Sequence, residues 1–572
     1  MPWLLALLFA LASPAMADPL PDNQLAGDAS PYLAQHADDP VRWQRWTPDT
    51  LALARRLGRP LFVSSGYFAC HWCHVMQRES FRDADIAALL NTHFVPVKID
   101  REIDTALDDA LIAFVRDSGG VAGWPLNVIL TPAAEPWHGF VYLPPDTLRE
   151  TLVEYAALDP PARAAAQTDA APVGPPLDDA AVRQAVRAAL ASEADDFEGG
   201  FGDQARFPHA PRLSALLAFF PDDADVRDFV ATTIDAIVSR GLRDHIGGGF
   251  FRYTVDPGWE EPHFEKMLAD NAQLAAVLFD AAAALERPEW VAVARETLDF
   301  LLREMRRVDA LFASALSAID GQGAEGGYYL WTPVQLGRAL APDELSAATR
   351  VYALGRPPRF NAGHLPRPVA GVAHDAALVE RIRARLFEAR STRNLPRDDK
   401  AVIAWNGLAL GALARAASLD ARYREAGARL ADRLATVVGA GALPRALGAD
   451  GVPLGAGLLE DYALLAAGFA QWADASGQPR YLRLSRALAD SAWRDFHVDG
   501  QWRAGTYTLL PDIRSVPVFE AAHQASSTAA LARLARRFAN EDARWGQRAQ
   551  TLERAARVRI DAAPLDLLGH LR

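Results

Sequence analysis

Only two cysteines occur in the 572 residues, and they stand together as Cys70-His71-Trp72-Cys73. A short apolar run, Leu61 to Val63, precedes them, and a segment of helical character follows from about Cys73 to Leu90. Strand, tight turn, Cys-x-x-Cys and helix is the order that a redox dithiol requires. It sets the first cysteine at a helix N-terminus, where unpaired N–H groups and the helix dipole favour thiolate over thiol. On this reading Cys70 is the exposed nucleophile and Cys73, one turn further, the shielded resolving thiol. His71 and Trp72 lie between them, and a protonated His71 would lower the Cys70 pKa further.

The same letters admit other chemistry. Cys70 to His74 also spells the Cys-x-x-Cys-His pattern of c-type haem attachment. Cys70, Cys73 and His74 are three potential zinc ligands, although no second cysteine pair exists to close a structural site. Two buried cysteines used as small apolar residues are the plainest alternative. Neither a metal nor a cofactor is required by the redox reading.

A chain of 572 residues exceeds one hydrophobic core and implies several domains. The net charge of −13 and the lack of basic runs argue against nucleic acid and against anionic membrane surfaces. Residues 1–12 form an apolar run too short to span a bilayer, followed by Ala15-Met16-Ala17. That pattern is expected to be a secretory signal at residues 1–17, giving a periplasmic or secreted protein with no stable membrane insertion after cleavage. No Lys or Arg precedes Arg42, so the terminal amine is the only positive charge of the signal's first region.

Residues 18–158 read as a small α/β domain. Strands are expected at Leu61–Val63, Phe94–Asp100, from about Pro125 to Leu130 after a Gly-rich turn, and at Val141–Tyr142, with helices near 50–57, 105–115 and 147–155. Pro125 follows Gly123-Trp124 at a strand start and is a candidate cis-proline. Residues 159–176 are rich in Ala and Pro and read as a linker. From 177 to 572, amphipathic helices alternate with short loops, the signature of an α/α toroid.

Several motifs, in order, resemble the thioredoxin-domain family typified by spermatogenesis-associated protein 20 and its bacterial relatives. They are Ser30 to Trp46, Gly66-Tyr67 through Met76, Glu79-Ser80-Phe81, Val97 to Glu102 and Gly123-Trp124-Pro125-Leu126. The resemblance implies a thioredoxin-like fold, places Cys70, His71, Trp72, Cys73 and Pro125 at the redox site, and makes His74 part of the helix. Thioredoxins carry a buried Asp six residues before the first cysteine, and Ser64 stands there in this chain. The resemblance extends over the helical part, implying an (α/α)6 barrel similar to sugar 2-epimerases and six-hairpin glycosidases.

In such barrels aromatics stack on sugars while carboxylates and histidines perform acid–base work. Trp259, His263, Glu265, Asp270, Asp399, Trp405, Asn406, Glu460 and Asp461 are therefore expected around one polar cavity at the barrel mouth. Two functions follow, beside a third, non-enzymatic reading that makes the whole chain a binding platform. The first is an exported thiol–disulfide oxidoreductase acting on a protein or small-molecule disulfide or thiol client, with the barrel as docking body. The second is a carbohydrate-active or carbohydrate-binding barrel with a regulatory redox domain.

Overall fold

Leu61–Gly66 (β1) is buried at every position because it runs through the middle of a four-stranded sheet. The strand order is β2-β1-β3-β4, with β2 Val95–Asp100, β3 Leu126–Leu130 and β4 Pro136–Phe140. β1 pairs parallel with β2 and antiparallel with β3, and β4 continues antiparallel from β3. Alternate side chains of β1 serve two cores. Phe62 joins Trp43, Phe81, Phe94 and Phe140 on one face, while Leu61 and Val63 join Val97, Ile99, Leu111 and Val128 on the other. Helices α1 (Pro48–Leu57), α2 (His71–Met76), α3 (Ala84–His93), α4 (Thr105–Asp117) and α5 (Pro145–Ala157) complete a thioredoxin-like domain.

This architecture is that of a computed structural model, which describes residues 20–159, 174–369, 371–372, 375–505, 509–510, 519 and 524–571. The expected signal at 1–17 and most of the Ala/Pro-rich linker lie outside the described residues.

Two local expectations are corrected. The single helix foreseen from Cys73 to Leu90 is broken: α2 ends at Met76, one π-turn spans Gln77–Phe81, and α3 starts afresh. The turn seats Phe81 edge-on to Trp43 at 4.9 Å. Asp83 then caps α3 by accepting the N–H groups of Asp85 and Ile86, which a continuous helix could not use. The last strand lies at Pro136–Phe140 rather than Val141–Tyr142.

The remainder is an α/α toroid of six hairpins. Each pairs an outer helix with an inner one: α6 Asp179–Glu193 with α7 Ala210–Phe219, and α8 Ala224–Ser239 with α9 Leu268–Ala284. Next come α10 Glu289–Phe300 with α11 Ile403–Ala416, α12 Ala421–Gly439 with α13 Leu459–Ser476, and α14 Pro479–Phe496 with α15 Ser527–Phe538. The last is α16 Ala543–Arg559, whose inner partner is reduced to the short α17 Pro564–Leu567 and one 3-10 turn to His570. That short segment closes the ring between α15 and α7. Outer helices α6, α8, α12 and α16 begin on Asp178, Asp223, Asp420 and Asp542, each accepting a first-turn N–H.

The inner helices are apolar almost all round, and α11 and α13 approach closely through Gly407 and Gly468. A Cβ on Gly407 would lie 2.7 Å from the Leu465 Cα and 2.8 Å from the Leu464 carbonyl oxygen. Gly407→Ala is therefore expected to force the two helices apart and destabilise the barrel by about 1–3 kcal/mol, read as a lower denaturant midpoint.

Residues 306–402 are inserted within the third hairpin. They contribute the strand Ala315–Leu316, which pairs with Lys266–Met267 and Arg397–Asp398, and the helices Pro333–Ala339, Pro342–Val351 and Ala376–Arg390. Helices α9, α11 and α13 start without side-chain caps of the Asp or Ser kind. Their N-terminal ends lie toward the thioredoxin-like domain, joined to it by Glu265, Lys400 and Arg445.

Candidate functional site

Cys70 is the N-cap of α2, and its sulfur accepts the Cys73 N–H at 3.1 Å. The two cysteines form a disulfide with Cα atoms 5.3 Å apart. The Trp124–Pro125 peptide at the start of β3 is cis. His74 Nε2 is engaged by the Phe68 carbonyl oxygen at 2.8 Å, which makes His74 a helix-anchoring residue. Among the described residues no three metal-ligating side chains converge.

Cys70 was expected to be exposed, but it is only 2% accessible. The reason lies in the insertion. The Ala318 N–H donates to the Ala69 carbonyl at 3.2 Å, and Glu325 reaches His71 Nε2 at 3.4 Å and His263 Nδ1 at 2.6 Å. The His71 and His263 rings stack with centroids 5.6 Å apart. Trp72 stays 40% accessible, resting on Tyr142.

Burial, reinforced by neighbouring His263, holds His71 below the ordinary imidazole pKa despite Glu325. His71 is thus neutral at pH 7, and the charge it was expected to lend Cys70 is absent; the α2 N-terminus remains to favour thiolate. Burial opposes charge on His263 too, yet its bond to Glu325 outweighs that and raises its pKa.

Behind the disulfide, Ser64 accepts a 2.9 Å hydrogen bond from Lys98 Nζ. The ammonium is boxed by the rings of Phe81, Trp43 and Tyr32 at 4.5, 5.1 and 5.4 Å. Burial pushes Lys98 down to about 7, against the pull of Asp39.

The nine residues expected around one barrel cavity divide into two groups. His263, Glu265, Asp270, Glu460 and Asp461 lie at the contact with the thioredoxin-like domain. Glu265 accepts the Tyr67 hydroxyl at 2.7 Å and pairs with Arg252 at 3.5 Å. Arg252 lies over the Tyr67 ring at 4.8 Å, and its Nε stands 4.0 Å from Asp270 Oδ2, which accepts no hydrogen bond among the described residues. Burial pushes Asp270 up to about 6 although Arg252 opposes it.

Asp461 accepts the Ala404 and Leu458 N–H groups and pairs with Arg445 at 2.9 Å, while Glu460 pairs with the same guanidinium. Arg445 Nε then donates to the Glu102 carbonyl at 2.7 Å.

Trp259, Trp405, Asn406 and Asp399 serve other purposes. Trp259 packs against Gly200 and donates to the Gly199 carbonyl, fixing a hairpin loop. Trp405 is buried in the core of the ring. Asn406 bonds both the N–H and the carbonyl of Phe312, tying the insertion to α11. Asp399 is paired with Arg397 and its side chain is 38% accessible.

A cavity of about 110 Å³ does lie between α7, α9, α11, α13 and α15. Its walls combine small residues such as Ala272, Gly407, Gly468 and Ala529 with polar and charged ones, Gln273, Gln471, Asp280, Arg415, Arg533 and Asp566 among them, and none of the nine lines it.

Residues 22–159 match a family model described as "Protein of unknown function, DUF255" and labelled Thioredox_DsbH. Human spermatogenesis-associated protein 20 is 31% identical over 82% of this chain and 69% of its own length. The chain belongs to the spermatogenesis-associated protein 20 family.

The mouse protein of the same name is 30% identical over 84% of this chain and 70% of its own. A Caenorhabditis elegans protein described only as uncharacterized is 28% identical over 72% of this chain and 64% of its own. Among solved structures, a D-mannose isomerase overlaps 66% of this chain and 85% of its own at TM-score 0.41 and 12% identity. A Thermus thermophilus thioredoxin overlaps 21% of this chain and 88% of its own at TM-score 0.17 and 24% identity. Overlaps this loose do not bear on the chemistry of this chain.

The residues of this spermatogenesis-associated protein 20 family member that sequence reasoning missed are those that join the two halves: Arg252, Glu325, Lys400, Arg445 and, on the other side, Glu102. Lys400 is fully buried and faces Asp398, Asp100 at 3.3 Å and Glu102 at 2.7 Å. For Lys400 the available signal was a charge standing directly before the apolar run Ala401-Val402-Ile403.

Proposed function

We propose that the chain is an exported thiol–disulfide oxidoreductase whose barrel docks the client and guards the dithiol. One observation carries the reading: the only cysteines pair at the N-terminus of α2, in a thioredoxin-like domain with a cis-proline before β3. In the reduced form Cys70 thiolate attacks one sulfur of a client disulfide, forming a mixed disulfide and releasing one client thiolate. Cys73, once deprotonated, attacks the Cys70 sulfur; the internal disulfide closes and the second client thiolate leaves. Two electrons pass to the client, and the proton of Cys73 passes to base in the medium. The reverse sequence oxidises a client dithiol.

Burial of Cys70 favours a small or extended client over a folded surface. The Ala69 carbonyl that now accepts from Ala318 is the acceptor such a client's backbone would take over.

The test uses the reduced full-length protein with 5,5′-dithiobis(2-nitrobenzoate). Two equivalents of thionitrobenzoate are expected per chain, with the internal disulfide re-formed. Cys70→Ala should release none in the rapid phase. A wild-type chain that gave no release, or whose reduced form showed no alkylatable thiols, would end the reading.

A second reading, a carbohydrate-binding barrel, rests on Asp270, a buried carboxyl pushed up to about 6 whose Oδ2 faces Arg252 and accepts no hydrogen bond among the described residues. It is weakened by the dispersal of Trp259, Trp405 and Asp399 away from that point.

A further inference from the structure

Resting on the oxidoreductase reading, a second residue of the redox machinery emerges from the far side of Gly66. A Cβ on Gly66 would overlap the Tyr32 hydroxyl and come within 2.8 Å of Cys73 Sγ. The tyrosine hydroxyl and the resolving sulfur thus both border the space left by the glycine's missing side chain, with no hydrogen bond between them in the disulfide form. Tyr32 is 2% accessible, and its hydroxyl has no hydrogen-bond partner among the described residues. Leaving a buried hydroxyl unpaired forfeits its hydration with nothing in return, and a phenylalanine would fill the same space without that loss.

The ring is held in place by design of the chain around it. Ser30 caps the short helix Pro31–Ala34 by accepting the Leu33 N–H, and its hydroxyl donates to Asp100 Oδ2 at 2.6 Å. His36 packs edge-on to the Tyr32 ring at 5.2 Å, and Lys98 Nζ stands 5.4 Å from its centre. No carboxylate stands at position 64, where Ser64 is occupied by Lys98. With no acceptor there for the Cys73 proton, the thiolate left on Cys73 depends on a hydrogen-bond donor.

We propose that the Tyr32 hydroxyl is the hydrogen-bond donor to Cys73 thiolate, idle in the disulfide form and engaged once the disulfide is opened. When the Cys70–Cys73 bond is broken by a client thiolate, the electron pair of that bond resides on Cys73 Sγ, and Tyr32 O–H donates to it. In the opposite direction the same bond stabilises the thiolate that must form before Cys73 attacks the mixed disulfide; the Cys73 proton goes to base in the medium and the client departs as thiolate. Tyr32 keeps its own proton throughout. Burial, with Asp100, Asp39 and Asp108 adding to it, holds the phenol well above its ordinary pKa, so it donates without ionising. Lys98 and the neutral ring of His36, which burial holds at about 3, complete the ionisable groups packed around it.

The experiment follows the ultraviolet absorbance of the Cys73 thiolate against pH in full-length Cys70→Ser protein, with and without Tyr32→Phe. Loss of the hydroxyl should raise the Cys73 pKa by about one unit. With Cys70 present, Tyr32→Phe should slow release of the second thionitrobenzoate about tenfold and leave the first unchanged. An unmoved Cys73 pKa overturns the proposal. If Tyr32→Phe does not fold, 3-fluorotyrosine at position 32 keeps the shape and strengthens the donor, so the Cys73 pKa should fall; no fall overturns it equally. The titration reads Cys73 alone, so a chain that passed it yet failed to exchange with the aromatic disulfide would retire the oxidoreductase reading and not the hydrogen bond.

Discussion

Cys73→Ala protein should accumulate covalent adducts with disulfide clients, all through Cys70, while Cys70→Ala protein accumulates none. The asymmetry follows from α2: Cys70 occupies the N-cap and feels the unpaired N–H groups, whereas Cys73 lies inside the first turn, buried against Gly66. Without Cys73 nothing within the chain can displace the client, because the sequence holds no third cysteine. Turnover with a disulfide substrate should fall to background in both variants. Non-reducing electrophoresis and peptide mass mapping separate them, and equal trapping by the two would show the assigned roles to be wrong.

Lys400→Met should be the most damaging substitution outside the dithiol. Its ammonium is fully buried and serves Asp100, Glu102 and Asp398 at once. Removing it leaves three buried carboxylates without a countercharge, a loss of about 3–5 kcal/mol by comparison with other broken buried pairs. The sign of its pH dependence is fixed. Burial raises Asp398 above its ordinary value, with Glu102 and Asp100 adding to the effect, so the native state takes up protons more readily than the unfolded chain. Stability of the variant should improve as pH falls and worsen as pH rises through neutrality. Urea unfolding at pH 5.5 and pH 8 in matched ionic strength (values chosen as roughly one unit or more either side of neutrality) measures it; a deficit indifferent to pH would mean that the carboxylates are not the cause.

The fold was legible where the chain repeats a period. A buried central strand reads as a continuous apolar run, and inner helices that are apolar on every side alternate with amphipathic outer ones, so both layers can be drawn from residue pattern. The break between α2 and α3 was not legible, because a π-turn keeps helical composition while Phe81 is drawn aside by Trp43, a residue far upstream. Cys70, Cys73 and Pro125 were found because their chemistry is local. The burial of Cys70 was not, since the insertion meets its neighbours Ala69 and His71 through Ala318 and Glu325, some 250 residues away in the chain and joined to them only by folding. The same limit explains the barrel residues: junctions such as Glu265 and Asp461 were recognised, but Glu265 faces Tyr67 of the other domain and Asp461 faces Arg445, which reaches across to Glu102.

The shared ion pairs also bear on how the protein is best handled. Cut out at residue 159, the redox half would carry Asp100 and Glu102 without Lys400, the Glu102 carbonyl without Arg445, and the Tyr67 hydroxyl without Glu265. It would also lose the Ala318 and Glu325 contacts to Ala69 and His71 on either side of Cys70. Such a fragment would be a more reactive and less selective reagent than its parent, and potentials or client lists obtained with it would describe the fragment.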